Sequence, residues 1–124
     1  MPSKGGKGEK MKDINIEAEE ILRKTGYRVV FEYPGEQSKV PAISYRTVYE
    51  HPIMAADNEE LIREVSIQVD IWTKKAADGG HIAGEVNALM TENGWAREFL
   101  KDMDKENNIY HTAMRFTKSF VCCE

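Results

Sequence analysis

Chemistry in this chain would have to start from its histidines, carboxylates and thiols, and three groups of them have suggestive spacing. His81 and Glu85 stand four residues apart, so on a helix they share a face and make the beginning of a metal site. There is no H-E-x-x-H and no third ligand at diagnostic spacing, so the pair reads as a solvated helix face. Asp102, Asp104 and Glu106 begin like a calcium loop, yet Asn107 stands where that loop needs glycine and Ala113 where it needs glutamate. A polar turn is expected there instead. Cys122 and Cys123 are adjacent, and a disulfide between neighbours is strained and staples no loop, so two free thiols are expected. As a nucleophile either would need a basic neighbour to lower its pKa.

The histidines His51, His81 and His111 fall on a loop, a helix start and a strand, without a Ser or Cys nucleophile beside an oxyanion loop. No Walker loop or G-x-G-x-x-G is present. The expectation is therefore a protein that is not an enzyme and uses no cofactor and no metal. A small hydrolase or nuclease built on His81, Glu85 and His111 is the enzymatic alternative.

Other function classes are narrowed by composition. The net charge is −4 over 124 residues, and residues 1–12 hold Lys4, Lys7, Lys10 and Lys12 against Glu9 alone, so the remainder is more acidic than the total. An acidic body lacks the basic footprint of a nucleic-acid binder, so no nucleic acid is expected as a specific ligand. Tyr27, Tyr33, Tyr45, Tyr49 and Phe31, interleaved with Arg28 and Arg46, have the makings of a base-stacking surface, but aromatic strands are ordinary sheet core. No apolar run approaches the ~20 residues that span a bilayer, and the start lacks a signal peptide's apolar segment. A soluble protein without a membrane partner is expected.

The elements that must position these groups are readable from periodicity. Residues 1–12 are rich in Gly and Lys and are expected to be a flexible basic tail, with residues 13–124 as one α+β domain. Ile14, Ala18, Ile21 and Leu22 repeat at i, i+4, i+7, i+8 from the candidate N-cap Asp13 to Gly26, predicting a helix of about three turns. Residues 27–33 and a stretch opening at Pro41 read as strands, the second with Ile43, Tyr45, Thr47 and Tyr49 on one face. In residues 64–75, Val65, Ile67, Val69 and Ile71 alternate with Ser66, Gln68 and Asp70. After a glycine break at Gly79 and Gly80, Ile82, Val86, Leu89 and Met90 form the stripe of a second helix that stops at Asn93 and Gly94. Residues 95–100 and 109–121 read as two more strands. The pattern predicts a sheet of four or five mainly antiparallel strands with both helices on one face.

Between the strands lies His51 to Arg63, which Pro52 and the lack of alternation mark as a long loop with a helical turn near residues 58–62. Its apolar Ile53, Met54 and Leu61 beside Asp57, Asn58, Glu59, Glu60 and Arg63 suit an interface with an apolar centre and a charged rim. Trp72 ends the polar face of the central strand, so that face is expected to be covered by the loop, by a neighbouring subunit or by its own chain.

Taken in order, Pro41, Ser44-Tyr45, Ala56-Asp57-Asn58, Gln68-Val69-Asp70-Ile71-Trp72, Met90, Gly94-Trp95, Arg97, Asp104, Tyr110-His111 and Arg115-Phe116 carry a resemblance. The chain resembles the small tail-completion or tail-terminator proteins encoded by bacteriophages and prophages. The resemblance implies a structural subunit that caps the tail tube as a ring of copies of itself, a hexamer, and joins it to the head connector protein. Its partners would be itself, the tail tube protein and the connector, and its place the tail end or neck of the virion after a stay in the bacterial cytoplasm. A soluble α+β binding or regulatory module of unknown ligand is the alternative.

Overall fold

The computed structural model describes residues 6–31, 39–56 and 60–123, with side chains described at 14–31, 39–52, 62–105 and 107–120. In chain order the elements are α1 (Gly6–Arg23), β1 (Arg28–Phe31), β2 (Ala42–Ala56), β3 (Glu60–Thr73), α2 (Ala76–Glu92), β4 (Ala96–Glu106) and β5 (Ile109–Cys123). The five strands form one sheet in the order β1-β2-β3-β5-β4. β1 runs parallel to β2, and every other pair is antiparallel. This is the expected α+β architecture, with its parallel pair at one edge.

The alternation of β3 decides where the core lies. Val65, Ile67, Val69 and Ile71 are all buried and pack with Ile14, Ala18, Ile21 and Leu22 of α1 and Ile82, Ala83, Val86 and Met90 of α2. Both helices therefore lie on one face of the sheet, each by the single apolar stripe its sequence allows. Ile43 and Tyr45 of β2 and Met114 and Phe116 of β5 widen the same core. α2 ends where Gly94 adopts φ +94, the left-handed geometry that a glycine takes without steric cost, and the Trp95 amide returns to the Met90 carbonyl at 3.0 Å.

Lys118 ties the layers together. Its ammonium donates to Glu17 Oε2 of α1 and to the Asn93 carbonyl at the end of α2, both at 2.8 Å. The charge sits 5.7 Å from the centre of the Trp95 ring and 5.1 Å from that of Phe120. A cation at a helix C-terminus complements the partial negative charge of the exposed carbonyls.

Four sequence expectations are corrected. α1 begins at Gly6 rather than near Asp13, because Lys7, Glu9, Lys10, Met11 and Lys12 include good helix formers that extend an existing helix cheaply. α2 begins at Ala76 and contains Gly79 and Gly80, which therefore do not break it. The long loop expected over residues 51–63, with its helical turn, is instead the end of one hairpin: β2 runs to Ala56 and β3 starts at Glu60, paired to Ala56. Pro52 is accommodated because the ladder shifts register between Pro52 and Met54, and an irregularity of this kind spares the missing donor. The acidic stretch at 101–108, expected as a turn, is mostly strand, and the reversal takes place at Asn107 and Asn108 with φ 53 and 63. Two successive positive φ values are the geometry of a two-residue hairpin loop, for which asparagine is well suited.

A bulge changes one face assignment. Thr47 faces the helices and donates to Asn15 Oδ1 at 3.1 Å, but the register shift between Thr47 and Tyr49 turns Tyr49 to the opposite face. There its hydroxyl donates to Glu64 Oε1 at 3.2 Å and its ring stacks on His51.

Candidate functional site

Among the described residues no helix covers the second face of the sheet, and β2, β3 and β5 bring their polar positions together on it. The register aligns Ser44 with Asp70 and Ala113, Arg46 with Gln68 and Arg115, and Ala42 with Trp72 and His111. At the centre is Asp70, only 5% exposed. Its Oδ1 lies 2.7 Å from His111 Nε2 and accepts from the Gln68 amide at 3.0 Å. Gln68 Oε1 in turn accepts from Arg115 at 3.4 Å. The His111 ring lies against Trp72, 3.9 Å between centroids and nearly parallel at 13°, while the Trp72 indole N–H donates to Ser44 Oγ at 3.0 Å. Asp70 is thus a buried carboxylate whose desolvation is offset by two side-chain donors.

A depression of about 560 Å³ lies over this cluster, walled by Phe31, Arg46, Gln68, Asp70, Trp72 and His111. Arg46 is exposed at its rim. His111 turns Nε2 to Asp70, and the Ser44 oxygen accepts from the Trp72 indole. Among the described residues no group of three or more His, Cys, Asp or Glu is arranged to hold a metal ion. His81 and Glu85 are 3.8 Å apart on an exposed part of α2, the solvated pair that their spacing suggested. His111 is held by Asp70 on β3, and among the described residues it does not join His81 and Glu85 in a group arranged to hold a metal.

The expected contact residues are distributed between two places. Ile53, Met54 and Leu61 lie on the end of the β2–β3 hairpin, where only their backbone is described, and Asp57, Asn58 and Glu59 lie outside the described residues. Arg63 pairs with Pro52 on one side and Phe120 on the other, just beyond the last core residue of β3, Val65. With 14 residues β3 spans about 45 Å, against about 25 Å for the 17 residues of α2 and about 27 Å for the 18 of α1, so the hairpin is longer than either helix. Trp72 is at the far end of the same strand, 6% exposed and covered by its own chain through His111. Gln68, Asp70 and Trp72 share one face, as alternation predicted. That His111, Arg115 and Ser44 meet them there depends on strand order and register, neither of which is visible in a single sequence.

No protein-family model matches the chain, and no curated protein matches it either. Among solved structures the fold is similar to the sheath/tube terminator of an extracellular contractile injection system, PVC, seen by cryo-EM in its extended state. The TM-score is 0.53 with 11% sequence identity over 87% of this chain, and the match spans 56% of the length of the terminator. At that identity the likeness is one of fold.

Proposed function

We propose that this chain is a structural, non-catalytic subunit that closes the end of a tail tube in a phage tail or tail-like particle. It assembles with copies of itself as a ring, a hexamer, that meets the tube protein on one side and a head connector on the other. Its place is the tail end of the particle, reached from the cytoplasm of the bacterial host. The observation that carries this reading is the shared fold with a sheath/tube terminator. The order and spacing of residues 41–116, read as similar to tail-completion proteins, support the same role independently.

A cap of this kind needs two unlike surfaces to join its neighbours in a closed head-to-tail ring and a third for the tube. The end of the β2–β3 hairpin, with Ile53, Met54, Leu61 and Arg63, is the candidate for the third, because the hairpin is longer than either helix and its end is rimmed by charge. Asp57, Asn58 and Glu59 belong to the same proposed contact.

The test is removal of the gene from a phage or prophage that carries it. The expected result is tails of uncontrolled length, or tails and heads that fail to join, with normal particles restored when the protein is supplied. Normal infectious particles from the deletion would overturn the proposal.

A further inference from the structure

Five large hydrophobic side chains are exposed among the described residues: Ile16 (52%), Phe31 (49%), Phe99 (37%), Leu100 (41%) and Met103 (41%). All but Ile16 lie on β1 or β4, the two strands that end the sheet order. Soluble proteins usually keep sheet edges short, charged or covered, since an unpaired edge is a template for another strand. β4 has 11 residues, and among the described residues no strand pairs with its outer side. β4 is charged, as such edges usually are, yet Phe99 and Met103 are exposed on the face away from the helices and Leu100 on the helix face, so apolar side chains flank this long edge on both sides.

Strand direction says what could lie against that edge. β1 runs with β2, β3 runs against β2, β5 against β3, and β4 against β5. β4 therefore runs opposite to β1. A second copy set beside the first in the same orientation brings its β1 to this β4 as an antiparallel neighbour, with no need to turn the molecule over. The side chains are compatible as well. Arg28 and Arg46 are exposed at the β1 edge, and Glu98, Asp102 and Asp104 are exposed along β4 between Arg97, Lys101 and Lys105. Phe31 then faces an edge that already offers Phe99, Leu100 and Met103.

We propose that copies of this chain join edge to edge, β4 of one pairing antiparallel with β1 of the next, so that the sheet continues from subunit to subunit. The two edges are the two unlike surfaces that a head-to-tail array requires. The joint rests on the cap reading only for the closure of that array into a ring. β1 has only 4 residues, so each joint has a short ladder and isolated copies associate weakly.

Cross-linking tests the joint in the full-length chain with Cys122→Ser and Cys123→Ser. Adding Val30→Cys on β1 and Lys101→Cys on β4 places thiols on opposite edges, about 19 Å apart within one molecule across four strand spacings. A bismaleimide shorter than that span, applied to concentrated protein, should give a covalent ladder of trimers and larger species, while either single-cysteine protein stops at dimers. Leu100→Lys, an exposed position, should abolish the ladder without changing the thermal melt. Absence of species above the dimer overturns the joint. So does efficient dimerisation of the Lys101→Cys protein alone, which would mean β4 pairs with β4, or a ladder that survives Leu100→Lys. If the ladder is absent while the protein still completes tails, the joint falls and the cap reading stands. A ladder in a protein without effect on tails has the opposite meaning.

Discussion

At the scale of single residues, Val69 and Lys118 are held by opposite kinds of chemistry. Val69 has no solvent exposure and sits between both helices and the sheet. Val69→Asp places an unpaired carboxylate there, at a cost of several kcal/mol against the ~5–15 kcal/mol that holds a whole domain together. The expected outcome is loss of cooperative melting by circular dichroism, and a soluble, sharply melting variant would refute the face assignment of β3. Lys118 answers a different question, because its aliphatic stem packs while its ammonium serves Glu17 and the Asn93 carbonyl. Lys118→Met keeps most of the stem and removes the charge, which should lower stability by about 2 kcal/mol in urea unfolding. An unchanged midpoint would mean that packing alone closes the seam between α1 and α2.

At the scale of elements, α1 is fastened to β2 by a polar latch. The Tyr45 hydroxyl donates to Glu19 Oε1 at 2.7 Å, and Arg23 donates to Glu19 Oε2 from Nε at 2.8 Å. The hydrogen bond from Tyr45 and then that from Arg23 hold the Glu19 carboxyl below its ordinary 4.5. Burial, followed by Glu19 itself, pushes the Tyr45 phenol up, so Tyr45 stays a donor at neutral pH. Because the folded state holds the Glu19 proton less tightly than the unfolded chain, this stabilisation is complete above about pH 4.5 and is lost as pH falls through the lower folded value. Tyr45→Phe removes the largest cause, so its stability should fall less steeply below pH 4.5 than that of the parent protein. Parallel acid dependences in urea titrations would show that the latch carries no proton linkage. These elements were legible in the sequence to different degrees. Stripes such as Ile82, Val86 and Met90 and the alternation of Val65 to Ile71 identify helix and strand because one face of each is buried. The segments past the core lack that signal: residues 51–63 pair through backbone groups, whose identity every residue shares, so their strand character left no alternating pattern. The same reason hides the cluster around Asp70, which depends on the pairing of β3 with β5 rather than on any local motif.

At the scale of the whole molecule, the core and the hairpin end should be separable. Replacing residues 53–62 with Asn-Gly joins the paired Pro52 and Arg63 through a two-residue turn and leaves every core residue from Val65 onward in place. The variant should melt within a few degrees of the parent yet fail to restore normal tails to a gene deletion. Normal restoration would remove the hairpin from the proposed contact. The sheet order has a further consequence, for the path by which the chain reaches this structure. β3 gains one neighbour from the adjoining hairpin, but its other neighbour is β5, and Asp70 and His111 are 41 positions apart in the chain. The loop that brings them together must be closed before the β3–β5 contacts reward the ordering, which slows folding relative to a chain held by local contacts. Until β5 arrives, β3 has an open flank whose apolar side chains await their cover. Transient aggregation during refolding should therefore depend on protein concentration in that interval and vanish once β5 has docked.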